Sequence, residues 1–180
     1  MNEANILVLC ANKNSIESMK AINIIQEFCN KTLHPIGFEN WNKINIYYAG
    51  MDLSDITILS QPIIVFADRQ IPIIQKILPD EIGNLKNHKL PEYIEKTLKK
   101  NLQFFDIILN EYCPVVIHLE WTLQPIDFEI IFSTLKPNGF FINPTQISQK
   151  DKNYQNYPFQ KFTNIKSLKV GYGSWSLYMN

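Results

Sequence analysis

Asn5-Ile6-Leu7-Val8-Leu9-Cys10, followed by Ala11-Asn12-Lys13-Asn14, is the stretch on which the architecture turns. An almost unbroken apolar run this short cannot cross a membrane, which takes about 20 residues. It suits a strand buried on both faces of a parallel sheet. A helix should follow at once. Asn14 with Glu17 three residues on has the form of a capping box, and Ala21, Ile22, Ile25, Phe28 and Cys29 recur at helical spacing. A helix is therefore predicted from Ser15 to about Asn30.

Working outward, Ile44 to Ala49 reads as a second strand ending in Gly50-Met51-Asp52, and Pro62 to Phe66 as a third ending in Ala67-Asp68. Between Arg69 and Asn101 two helices are expected, each with a proline near its start, Pro72 and Pro91. Phe105 to Leu109 is a fourth strand and Pro125 to Leu135 a further helix. Lys136-Pro137-Asn138-Gly139 then has the composition of a turn feeding a fifth strand, Phe140 to Ile142. Asn143 to Gln160 reads as a loop. Ile165–Val170 and Trp175–Met179 flank Gly171-Tyr172-Gly173-Ser174 as an antiparallel hairpin. Five strands joined by helices or long crossovers predict an α/β fold: a three-layer, doubly wound, mainly parallel sheet with an antiparallel C-terminal hairpin, as a single domain over 1–180.

Composition narrows the partners. The 17 basic and 17 acidic residues cancel, so the chain lacks the cationic surplus that holds long nucleic acid by counterion release. No secretory signal or membrane-length apolar segment is visible, and a cytoplasmic location is expected. Cys10, Cys29 and Cys113 are odd in number and widely spaced, which supports neither a disulfide framework nor a zinc site. His118 and Glu120 have no third ligand nearby, and no metal is expected. Only six glycines occur, none before Gly37.

In a doubly wound sheet ligands bind at the carboxyl ends of the strands, beside the point where strand order reverses. The residues there are Cys10-Ala11-Asn12-Lys13-Asn14, Met51-Asp52, Asp68 and Asn110-Glu111-Tyr112-Cys113-Pro114. A carboxylate after the second strand can accept two hydrogen bonds from a ribose diol.

Taken with Gly50-Met51-Asp52-Leu53-Ser54, Ala67-Asp68, Phe105-Asp106-Ile107-Ile108 and Leu135-Lys136-Pro137-Asn138-Gly139-Phe140-Phe141, this order resembles the class I S-adenosylmethionine-dependent methyltransferase domain from Ile6 to Met179. The resemblance implies S-adenosylmethionine as cofactor and methyl transfer as activity. Asp52 would take the ribose and Asp68 the adenine amine, with Cys10, Ala11, Asn12, Asn14, Met51 and Asn110 completing the cofactor site. Residues 110 to 114 would line the transfer pocket, with Glu111 and Tyr112 as catalytic candidates and Glu111 as general base. A small molecule or a protein is the expected substrate.

The chain departs from that family at its first loop, where an acid followed by Gly-x-Gly is usual and Cys10 to Asn14 offers neither. Hence an alternative: a non-catalytic domain of the same fold that recognises a partner or ligand. Tyr154, Tyr157, Phe159, Tyr172 and Trp175 would then supply an interface for another protein or a second copy. Simpler roles stand beside the ligand roles. Cys10 can be a small buried hydrophobe, Asn14 a helix cap, and Asp52 and Asp68 caps of following helices. Cys10 is no phosphatase nucleophile, since the Arg required six residues on is Ile16.

Overall fold

The computed structural model describes residues 2–31, 37–50, 53, 55–78, 103–111, 132–144, 163–171 and 173–180. β1 (Glu3–Leu9) carries no polar face in its second half, and Ile6, Leu7, Val8 and Leu9 are all buried. Such a strand must lie inside a sheet, because any edge or exposed face would put these side chains in water. It does. β2 (Lys43–Ala49) pairs with it in parallel on one side and β5 (Phe105–Asn110) on the other. With β3 (Ile63–Phe66), β4 (Arg69–Ile77), β6 (Leu135–Pro144), β7 (Thr163–Val170) and β8 (Gly173–Met179), the sheet order is β3-β4-β2-β1-β5-β6-β8-β7. β4, β2, β1, β5 and β6 run parallel, while β3 and β8 run against their neighbours.

The three-layer, helix-rich sandwich expected from the sequence is overturned. The described residues form one mixed eight-stranded sheet with antiparallel pairs, most of them are in strands, and their α-helices number two: α1 (Lys13–Glu17) and α2 (Lys20–Lys31). The clearest local cause lies at Arg69–Ile77, where a helix was expected after Pro72. These residues alternate instead, with Ile71 and Ile73 buried and Pro72 and Ile74 exposed, which is the period of a strand. Pro72 fits because it pairs with Ile63 of β3, and the ladder with β2 begins only at Ile73. The expected third strand is thus the antiparallel partner of the strand that holds that parallel place. Ala67 and Asp68, both at positive φ (46° and 64°), make the tight turn between them.

Two smaller corrections follow the same logic. The helix cap is Asn12 and not Asn14: Ser15 donates its backbone N–H to Asn12 Oδ1 at 2.8 Å, and Asn12 donates its N–H to Ser15 Oγ at 2.8 Å. The single helix predicted from Ser15 is broken at Met19, whose φ of 54° ends α1 before α2 begins. Lys136 to Gly139 is not a turn before a strand but an irregularity within β6, between the pairs Phe105–Leu135 and Ile107–Phe140. The helix expected around Pro91 lies outside the described residues, and the one expected from Pro125 to Leu135 enters them only at Phe132; its last residue, Leu135, already belongs to β6.

α2 packs on one face of the sheet through Ala21, Ile22, Ile24, Ile25, Phe28 and Cys29, against Ile6, Val8, Ile44, Ile46 and Tyr48. Each of the larger of these buried side chains contributes about 1.5–3 kcal/mol. Burial holds the Cys29 thiol well above its usual range, so this free cysteine is an inert core residue. Cys10, by contrast, is disulfide-bonded, with its partner outside the described residues. This corrects the expectation of no disulfide. No helix among the described residues is long and apolar enough to cross a membrane.

Candidate functional site

Strand order reverses on either side of β1, and the carboxyl ends of β2, β1, β5 and β6 meet there. Three backbone hydrogen bonds extend the ladder past the strand ends. Ala11 donates to Ala49 at 3.0 Å, Glu111 to Leu9 at 3.0 Å and Leu78 to Tyr48 at 2.9 Å. The first loop is thereby held from both sides at the position where its backbone turns. That turn is made by Cys10 at φ 59°. A non-glycine residue in this region costs about 1–2 kcal/mol, and the neighbouring ladder holds it there. Ala11 then runs so close to Gly50 that a Cβ on Gly50 would collide with the Ala11 carbonyl. Gly50 is required by this approach and not by its own φ.

Polar groups are buried at these ends. Asn110 donates through Nδ2 to Asn143 Oδ1 at 2.9 Å, and both residues are fully buried. Across the sheet from this pair, Glu111 is only 2% exposed. Burial pushes its carboxyl above the usual range, while the nearby Ser15 hydroxyl, whose own proton goes to the Asn12 carbonyl, and the charge of Lys20 pull the other way. Its Oε1 has no hydrogen-bond partner among the described residues. Tyr48 is raised as well, first by burial and then by the Glu111 charge, and its hydroxyl donates to Gln75 Oε1 at 2.8 Å.

Of the residues singled out by sequence, the structure brings together Cys10, Ala11, Asn12, Asn110 and Glu111. Asn14 lies within α1, next to this group in the chain. Met51, Asp52 and Tyr112 lie outside the described residues, as do His118 and Glu120. Asp68 is elsewhere. Its turn joins β3 to the amino end of β4, whereas the crevice lies at the carboxyl ends of the parallel strands, so the sheet separates it from Cys10. It is not placed to meet an adenine in that crevice. Sequence reasoning missed Asn143 and Ser15. Asn143 closes the strand run Phe140-Phe141-Ile142, and a polar residue ending an apolar strand is the signal that could have found it.

An open groove of about 360 Å³, lined by Gln103, Phe132, Leu135, Pro137, Asn138 and Asn180, lies at the amino ends of β5 and β6, away from these polar groups. Among the described residues no three His, Cys, Asp or Glu side chains gather to hold a metal. Comparison with protein-family models and with curated proteins gives no match to this chain.

Proposed function

We propose that the chain is an S-adenosylmethionine-dependent methyltransferase acting on a small molecule or a protein side chain, with the cofactor lying across the carboxyl ends of β1 and β5. The observation that carries this reading is the meeting of Cys10, Ala11 and Asn12 with Asn110 and Glu111 at the reversal of strand order. Two features fit the group. Cys10 adopts the left-handed backbone for which such loops ordinarily use glycine. The unmet Glu111 oxygen is a buried polar atom suited to a ligand's donor.

When bound, the cofactor supplies an electrophilic methyl group on a sulfonium. What the chain supplies is placement. Asn12 and Asn110 offer polar contacts, the ladder around Ala11 fixes the loop, and the buried strand ends exclude water. Displacement at a methyl group gains most from alignment of donor and acceptor, so this reading needs no buried nucleophile. Asp52 keeps the ribose role that the resemblance implies.

A second reading, a non-catalytic recognition module, is favoured by the loss of Asp68 from the crevice and by exposed apolar side chains at Ile63, Val65 and Ile74 on the edge hairpin. Isothermal calorimetry with S-adenosylmethionine and S-adenosylhomocysteine tests the first reading. Saturable binding supports it, and no heat of binding at millimolar ligand rejects it.

A further inference from the structure

The sheet is irregular at the end opposite Cys10. Between the pairs Phe105–Leu135 and Ile107–Phe140, β6 spends five residue steps where β5 spends two. β6 lies between β5 and β8, so this excursion interrupts an internal strand. It forgoes ladder bonds that a regular strand would make, and bulges of this kind recur beside functional sites. The excursion is tied down where it rejoins the strand, by the Asn180 N–H donating to the Gly139 carbonyl at 2.9 Å. Asn138 lies within it at φ 61°, and Gln103, just before β5, has a φ of 63°. Asn138, Asn180 and Gln103 all border the open groove described above.

That groove sets neutral polar groups around an apolar floor. Gln103, Asn138 and Asn180 are exposed, and their side-chain amides make no hydrogen bond among the described residues. Leu135 and Phe132 are buried and form the floor, with Pro137 beside them. No ionisable side chain lines the groove. The charges next to it in the chain are spent on each other: Lys136 meets Asp106 at 2.9 Å, and Asp106 also accepts the Asn5 N–H at 2.8 Å. A volume of about 360 Å³ sits at the low end of the range of ligand clefts, which suits a small molecule.

These properties select a ligand class. An ion finds no opposite charge. A nucleobase finds no platform, since Phe132 is 9% exposed and packs edge-on against Phe141 with ring centroids 4.8 Å apart. An extended peptide needs an open strand edge, whereas β5 and β6 each have strand neighbours on both sides. A molecule dense in hydroxyls fits. A hydroxyl donates and accepts at one atom, and a planar amide presents a donor and an acceptor side by side, so one amide can engage two neighbouring hydroxyls. Leu135 and Pro137 would take the C–H face of the ring. We infer that this groove is a second ligand site, for a neutral sugar gripped by the amides of Gln103, Asn138 and Asn180. It lies at the other end of the parallel strands from the cofactor reading and does not depend on it.

The test is an NMR titration of the full chain, read on backbone and side-chain amides, with methyl α-glucoside, methyl α-mannoside, methyl β-galactoside and N-acetylglucosamine. Inorganic phosphate and adenine are the controls. At least one of the sugars should shift the side-chain NH2 signals of Gln103, Asn138 and Asn180 together and saturably at millimolar concentration, while Cys10, Ala11 and Asn12 stay unmoved. Phosphate and adenine should leave the three side chains unmoved. Asn138→Gly keeps the left-handed backbone accessible and removes the amide, and it should weaken the sugar's binding about tenfold, as should Asn180→Ala. No saturable shift of these amides with any of the sugars overturns the inference. So does a response to phosphate or adenine equal to the sugar's, or a sugar affinity unchanged in both variants. Should Asn138→Gly fail to fold, Asn180→Ala alone decides. Titrating S-adenosylhomocysteine into the same protein reports on the cofactor reading separately, at Cys10 to Asn12.

Discussion

Glu111 and Leu9, more than a hundred residues apart in sequence, are joined by a 3.0 Å hydrogen bond from the Glu111 N–H to the Leu9 carbonyl. This bond extends the β1/β5 ladder by one step, and it places a carboxyl against the loop that leaves β1. The energetic consequence is a pH dependence. In the unfolded chain Glu111 titrates near its ordinary value of 4.5, and in the folded chain burial raises it. Between those two values the folded state binds more protons, so stability must fall as pH rises. The slope approaches about 1.4 kcal/mol per pH unit at most. Urea denaturation of wild type and Glu111→Gln across pH 4 to 8 should show this decline in the wild type and its absence in the variant. Parallel profiles would contradict the burial of an unpaired carboxyl.

Gly50 tests the closeness of the first loop to β2. A methyl group at this position meets the Ala11 carbonyl, a backbone atom that cannot swing away. Gly50→Ala should cost about 1–3 kcal/mol in denaturant unfolding. Gly171→Ala is the control. Its φ of 59° is strained for alanine, but no atom lies within 4 Å of the added carbon, so the cost should stay near about 1 kcal/mol.

Met19 predicts a gain. Its φ of 54° ends α1, the side chain is 39% exposed, and its N–H still reaches the Ile16 carbonyl at 3.1 Å. Glycine takes this conformation without the steric penalty of a Cβ and is the common residue just past a helix end. Met19→Gly should raise stability by up to about 1 kcal/mol in thermal or denaturant unfolding. A loss would mean that the Met19 side chain contributes packing that its exposure does not suggest.

The edge strand β3 is closed by a side chain. Gln26 of α2 donates through Nε2 to the Val65 carbonyl at 2.7 Å and accepts from the Val65 N–H at 2.8 Å. One amide thus fills the place that a neighbouring strand would take, beside the exposed Ile63 and Val65. Exposed edges of this kind invite pairing with another chain. Gln26→Ala should sediment as a larger species than the wild type, increasingly so with concentration. Unchanged sedimentation would show that the amide is not what protects the edge.

Much of the sheet was legible because the physics is local. The apolar run at Ile6 to Leu9, the helical spacing from Ala21 to Cys29 and the alternation at Trp175, Leu177 and Met179 each carry their own period. The hairpin of β3 and β4 was not, since its turn uses Ala67 and Asp68 at positive φ where Asn-Gly would have announced it. Pro72 then imitated a helix start. Asn12 and Asn14 each have a capping partner three residues on, so sequence could not choose between them until the end of β1 was known. At the site, the left-handed turn at Cys10 had no glycine to signal it. The contact of Asn110 with Asn143 and the approach of Glu111 to Ser15 depend on strand order, which no local pattern contains.

The most direct measurement of the central claim is an amide-resolved NMR titration of the full chain with S-adenosylhomocysteine. Binding at the carboxyl ends of β1 and β5 should perturb Cys10, Ala11, Asn12, Asn110 and Glu111 in a saturable way, and leave Asp68 and Arg69 at the far end of the sheet unmoved. No perturbation at millimolar ligand, or shifts confined to the Ala67–Asp68 turn, would contradict it.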